Sequence, residues 1–145
     1  MNVHILSATH YREMGAIARI LHTRNDTRFP ELGLQKGQFV FLTRLCEHPG
    51  VTVVRLARVT RVDQTTATKA VQKLEGAGYL TRNPDPDDGR SHTLWPTEKA
   101  FAAYAALVEA ENADLTEGLE GFTPEEAALL LAFLVRLRVN LERAS

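Results

Sequence analysis

The chain has 145 residues, 44% of them hydrophobic, and its 17 basic and 18 acidic side chains leave a net charge of −1. That size suits one domain around one core, and no stretch approaches the ~20 apolar residues needed to span a bilayer. A single cysteine excludes an intrachain disulfide and fits a reducing compartment.

The N-terminal MNVHILSATHYREMG lacks the basic and apolar succession of a secretion signal, so residence in the cytoplasm is expected. Ser7 is placed to cap a first helix in which Tyr11, Met14, Ala18 and Leu21 share a face, with Ile17 and Ile20 extending it. Thr23 to Leu34, with Pro30 and Gly33, reads as a loop. Gln35 to His48 reads as a second helix, with Phe39, Leu42, Leu45 and Cys46 on one stripe and Pro49-Gly50 as its stop. VTVVRLARVT then predicts a short helix, RVD a turn, and QTTATKAVQKLEGAG another helix. YLTRN and SHTLW alternate as paired strands do, around the turn PDPDDGR. Thr97 to about Leu119 predicts a long alanine-rich helix with Phe101, Tyr104, Ala105 and Val108 in register, broken by Gly121. Thr123-Pro124-Glu125-Glu126 has the pattern of a capping box with proline at the first helical position. The helix it opens carries Leu130, Leu134, Leu137 and Leu141 at helical spacing, widened by Leu131 and Phe133. The expected fold class is therefore mainly α with a small β-hairpin wing, in a single domain over residues 1–145.

Residues 51–95 carry the functional signal. Two short helices, a tight turn and a charged hairpin in succession describe a winged helix-turn-helix, whose second helix fits the major groove of DNA. Asp63 is positioned to cap that helix, and its charge suits the positive end of the helix dipole. Ala67, Ala70, Val71 and Leu74 form the apolar face. Opposite lie Thr65, Thr68, Lys69 and Gln72, with Gln64, Thr66 and Lys73 beside them. These groups can hold phosphates and read base edges. Gly78 stands where a helix end favours positive φ. In the hairpin turn, Asp88 or a neighbouring carboxylate is expected to pair with an arginine and hold the loop, leaving Arg90 to point outward into a narrow, electronegative minor groove. The expected partner is thus double-stranded DNA.

The near-neutral total charge conceals an uneven distribution. Residues 51–95 carry seven basic against five acidic side chains, whereas 97–145 carry four basic and nine acidic. Affinity for phosphate follows the local field rather than the sum. The modest local excess predicts salt-sensitive binding.

The stretch from LQKGQFVFLTRLCEHPG through VDQTTATKAVQKLEGAGYL, DPDDGR and PTEKA resembles the MarR family of transcriptional regulators, with Ala100 where the family most often has glycine. The resemblance covers the central half of the chain by motif and the rest by helix pattern. It implies a DNA-binding part at 35–96, flanked by helices at 1–22 and 97–145 that interdigitate with a second subunit. It further implies a homodimer on a palindromic operator, in keeping with one recognition helix reading too few base pairs alone. Finally, it implies a repressor that responds to a small aromatic effector bound near the junction of the dimer helices and the winged unit. His10, Tyr11, Met14, Phe39, Phe101 and Tyr104 could line such a site, although residues at helical spacing are also what a plain core would use.

An enzyme is not expected. His4, His10, His22, His48 and His92 are dispersed, with no H-E-x-x-H, phosphate loop or G-x-S-x-G. Cys46-Glu47-His48 offers ligand atoms, but adjacent helical positions point apart, so neither a metal nor another cofactor is expected. Cys46 reads as a buried thiol. The alternative reading is a winged-helix module for protein–protein assembly that binds DNA weakly or not at all.

Overall fold

The computed structural model describes the backbone of residues 3–35 and 37–145 and the side chains from residue 9 onward, Lys36 excepted. The chain divides into two compact units, Met1–Ala110 and Glu111–Ser145.

In the first unit, α1 spans Val3–Arg28. Ser7 lies inside this helix rather than capping it. The expected loop from Thr23 is helical as far as Arg28 because nothing in HTRNDTR breaks a helix, and the end comes just before Pro30. A 3-10 turn, Pro30–Leu32, follows and closes on Gly33. Next comes α2 at Gln38–Glu47, three residues later than expected, after a left-handed Gly37. The Gln38 side chain is buried and accepts the Gln35 N–H at 2.8 Å, which fixes the entry to the helix.

Val51–Thr52, expected as the start of a helix, forms a short strand, β1. These β-branched residues pair antiparallel with Leu94 and Thr93. The Thr52 hydroxyl then accepts the Arg55 N–H and caps α3, Val53–Thr60. Beyond the turn lies α4, Gln64–Gly76. The wing is β2, Leu80–Pro84, against β3, His92–Pro96, and β3 is the central strand of the order β1-β3-β2.

The core joins one face of every helix in the winged part. Leu42, Leu45, Leu56, Val71, Leu74, Tyr79 and Leu94 are fully buried. Gly50 has φ +85, and a Cβ there would lie 3.0 Å from the Trp95 ring, so glycine is required both for its backbone and for the indole's approach. The next helix, α5, spans Glu98–Gly118. Its buried positions in the first unit are Ala100, Ala103 and Leu107 rather than the expected stripe, and Phe101 remains 46% exposed. Ala100 and Ala103 let the start of the helix pack closely, Leu107 fills the core beyond them, and Tyr104 is half-buried against it.

In the second unit, Gly121 takes a positive φ and separates α5 from α6, Pro124–Ala144. The Thr123 hydroxyl accepts the Glu126 N–H, as the capping box predicts. Leu129, Leu130, Leu131, Phe133, Leu134, Val135, Leu137 and Leu141 are all exposed. Among the described residues no helix is long and apolar enough to cross a membrane.

Candidate nucleic-acid interface

The geometry of α4 is set at both ends. At its entry, Arg61 adopts a left-handed conformation, the only non-glycine described to do so, and reverses the chain out of α3. The Val62 N–H donates to the Ala57 carbonyl, closing the turn. Asp63 then caps α4 with both oxygens: Oδ1 accepts the Thr66 N–H and Oδ2 accepts the Thr66 hydroxyl, each at 2.8 Å. The Thr66 N–H first, and its hydroxyl second, hold the Asp63 carboxyl below its ordinary value. At the exit, Gly78 has φ +84 and turns the chain into β2.

The side of α4 facing the protein is closed. Ala67, Ala70, Val71 and Leu74 are buried in the packing of α4 on α2 and α3. Gln64, Thr65, Thr66, Lys69, Gln72 and Lys73 are exposed, and Thr68 is half-buried. Positions 64, 65, 68, 69 and 72 form one stripe along the helix. Two of the expected residues have work within the chain. Thr66 spends its hydroxyl proton on Asp63, and the Lys73 ammonium lies 3.5 Å from the Gln35 amide oxygen.

The wing is shaped differently from the expectation. Asp88 does not clasp an arginine side chain; its Oδ1 accepts the main-chain N–H of Arg90 at 3.0 Å. Asp85 accepts the Asp87 N–H in the same way, and two main-chain bonds, Asp85 to Ser91 and Ser91 to Asp88, close the loop. Short carboxylates favour such local bonds two residues on. The consequence is nevertheless the expected one for Arg90, whose side chain is exposed. In the wing it is Arg82 that forms an ion pair, its Nε meeting both oxygens of Glu75 at 3.1 Å. That pair ties the last turn of α4 to the wing. Nothing in the local pattern announces it, because the partners meet only once the chain has turned at Gly78.

The residues expected around an effector are distributed over the first unit. Phe39 is buried with its ring 6.3 Å from that of Phe29. The Tyr104 hydroxyl donates to Glu47 Oε1 at 3.3 Å, and burial, then the Glu47 charge, raises its pKa. His10, Tyr11 and Phe101 are exposed, and Met14 is half-buried. Cys46 is buried, and burial with the neighbouring Glu47 charge pushes its thiol up to about 11. Such a thiol stays protonated and unreactive at neutral pH.

Comparison with known proteins places this geometry in a family. Residues 34–92 match the family model described as MarR family. An uncharacterised HTH-type transcriptional regulator of Bacillus subtilis (strain 168), YybA, is 41% identical over 133 residues, covering 91% of this chain and 88% of the relative. A MarR protein from Peptoclostridium difficile superposes with a TM-score of 0.89 at 39% identity, over 99% of this chain and 91% of that one. A Listeria monocytogenes protein solved in complex with 26mer DNA superposes with a TM-score of 0.85 at 32% identity, over 90% of this chain and 87% of that one. With its capped recognition helix, antiparallel wing and these likenesses, the chain belongs to the MarR family of DNA-binding transcriptional regulators, which are not enzymes.

Proposed function

We propose that the chain acts in the cytoplasm as a sequence-specific, homodimeric repressor that binds a palindromic operator in double-stranded DNA and releases it on binding a small aromatic effector. The observation that carries the reading is α4: capped at its entry by Asp63, buried along one face, and polar and cationic along the other. Gln64, Thr65, Thr68, Lys69 and Gln72 enter the major groove, with Thr66 and Lys73 beside them at its edge. Arg90, carried outward by the wing, reaches the minor groove or the backbone beside it. The Listeria relative bound to DNA supports the same use of the fold.

The homodimer rests on the apolar side chains that α6 leaves exposed. Two recognition helices ~34 Å apart match successive major grooves, and one alone reads too little sequence. In this reading an effector lodged among His10, Tyr11, Met14, Phe39, Phe101 and Tyr104 alters that spacing. It needs only different affinities for the two spacings to switch the protein.

The test is selection from a pool of randomised duplex DNA, followed by sequencing of the bound fraction. A two-fold symmetric motif, with half-sites one helical turn apart, is expected. Absence of enrichment at low salt contradicts the proposal and favours a winged-helix module for protein–protein assembly.

A further inference from the structure

The exit of α4 is bound to the start of α5 by a set of contacts that none of the DNA-facing residues makes. Three successive main-chain carbonyls leave the recognition helix at Ala77, Gly78 and Tyr79. All three accept hydrogen bonds from residues 97–99. The Lys99 ammonium donates to Ala77 at 2.5 Å, the Thr97 hydroxyl donates to Gly78 at 2.8 Å, and the Thr97 N–H donates to Tyr79 at 3.0 Å. The same Thr97 hydroxyl accepts the Ala100 N–H at 3.3 Å, so it also caps α5. The Lys99 ammonium stands 4.4 Å from the centroid of the Tyr79 ring. That ring is fully buried, and its hydroxyl donates to the Leu32 carbonyl in the turn that follows α1.

Lys99 is exposed, yet its ammonium is held by a carbonyl and an aromatic face together, an ordering that costs a long side chain its rotamer freedom. These contacts meet where leverage on DNA is greatest. With α4 hinged at its exit, its first residue lies about 18 Å away at 1.5 Å per residue, and a tilt of ~5° moves it by about 1.5 Å. Hydrogen bonds to base edges do not survive such a displacement.

We propose that Thr97 and Lys99 are positioning residues for DNA recognition: they fasten the exit of α4 to the first turn of α5 and so set the angle at which the recognition helix meets the groove, without touching DNA. The inference rests on the DNA-binding reading above and adds to it the residues that aim the helix.

The experiment uses the full chain and the duplex that the wild-type protein selects from a randomised pool. Affinity is measured across a salt series and corrected for the folded fraction from thermal melts. K99M keeps the apolar stem and removes the donor, and T97V removes the hydroxyl. Each should weaken binding by about three- to tenfold, the scale on which residues outside a ligand contact act. The salt slope should stay unchanged, and K99R, which can still donate to Ala77 and cover Tyr79, should recover most of the affinity. Hydrogen exchange at the Ala77 and Gly78 amides should quicken in K99M without DNA present. A salt slope reduced by about one in K99M would instead make Lys99 a phosphate ligand and overturn the proposal. So would folded K99M and T97V that bind like wild type. A wild-type chain that selects no duplex contradicts the DNA-binding reading itself, a result distinct from either.

Discussion

Tyr79→Phe removes one oxygen from the centre of the winged unit and tests what holds the recognition helix to the rest of its domain. The ring is fully buried and its hydroxyl donates to Leu32. Phenylalanine fills the same space, so no cavity opens and the loss is confined to one hydrogen bond and the orphaning of a partly buried carbonyl. Such a loss costs ~1–2 kcal/mol, because the acceptor regains water only in part. For a chain of this size each kcal/mol lowers Tm by roughly 2–4 °C, so differential scanning calorimetry should show a fall of about 2–8 °C. Tyr79→Ala also removes the ring and should cost ~3–5 kcal/mol. The pH dependence adds an internal check. Burial first, and the Glu31 charge second, hold the Tyr79 phenol above its ordinary value of 10.0. The native state therefore keeps this proton to a higher pH than the unfolded chain does, and stability falls as pH rises through that interval. The advantage of wild type over Y79F should be complete below pH 10.0 and shrink above it. A Y79F protein as stable as wild type at neutral pH, or a gap that widens in alkali, would refute the reasoning.

Cys46 should react with a disulfide reagent at neutral pH only on unfolding, since its thiol is buried and pushed up to about 11; rapid native labelling would count against that environment. Gly50→Ala forces a side chain into a left-handed position against the indole and should cost ~1–3 kcal/mol, with a shift in the emission of Trp95, the chain's single tryptophan. Leu134→Asp on the exposed face of α6 should convert a dimer to a monomer in sedimentation and weaken operator binding, whereas a dimer that binds normally would move the subunit interface elsewhere.

The parts of the fold set by local chemistry are readable in the chain. Asp63 announces the start of α4 and Gly78 its end, and the buried face of Ala67, Ala70, Val71 and Leu74 follows from spacing alone. Features that depend on distant partners are not readable. Val51–Thr52 becomes a strand only because β3 is beside it, and α5 turns Ala100, Ala103 and Leu107 to the core while Phe101 stays exposed, a choice of face set by its packing partners. In the candidate interface, the outward stripe of α4 is a matter of helical period, whereas Arg82 with Glu75, and Lys99 with Ala77 and Tyr79, meet only through space. Asp88 shows a third case, in which a local backbone bond to Arg90 takes the place of a side-chain pair.

The central claim is that the exposed face of α4 and the tip of the wing read DNA, and the most direct test is the salt dependence of affinity for the selected duplex in wild type, K69A and R90A. Each substitution should weaken binding by ~1–3 kcal/mol, with the salt slope lowered by about one wherever the lost side chain had held a phosphate. Unchanged affinity and unchanged slope in both variants, with folding intact, would contradict the claim.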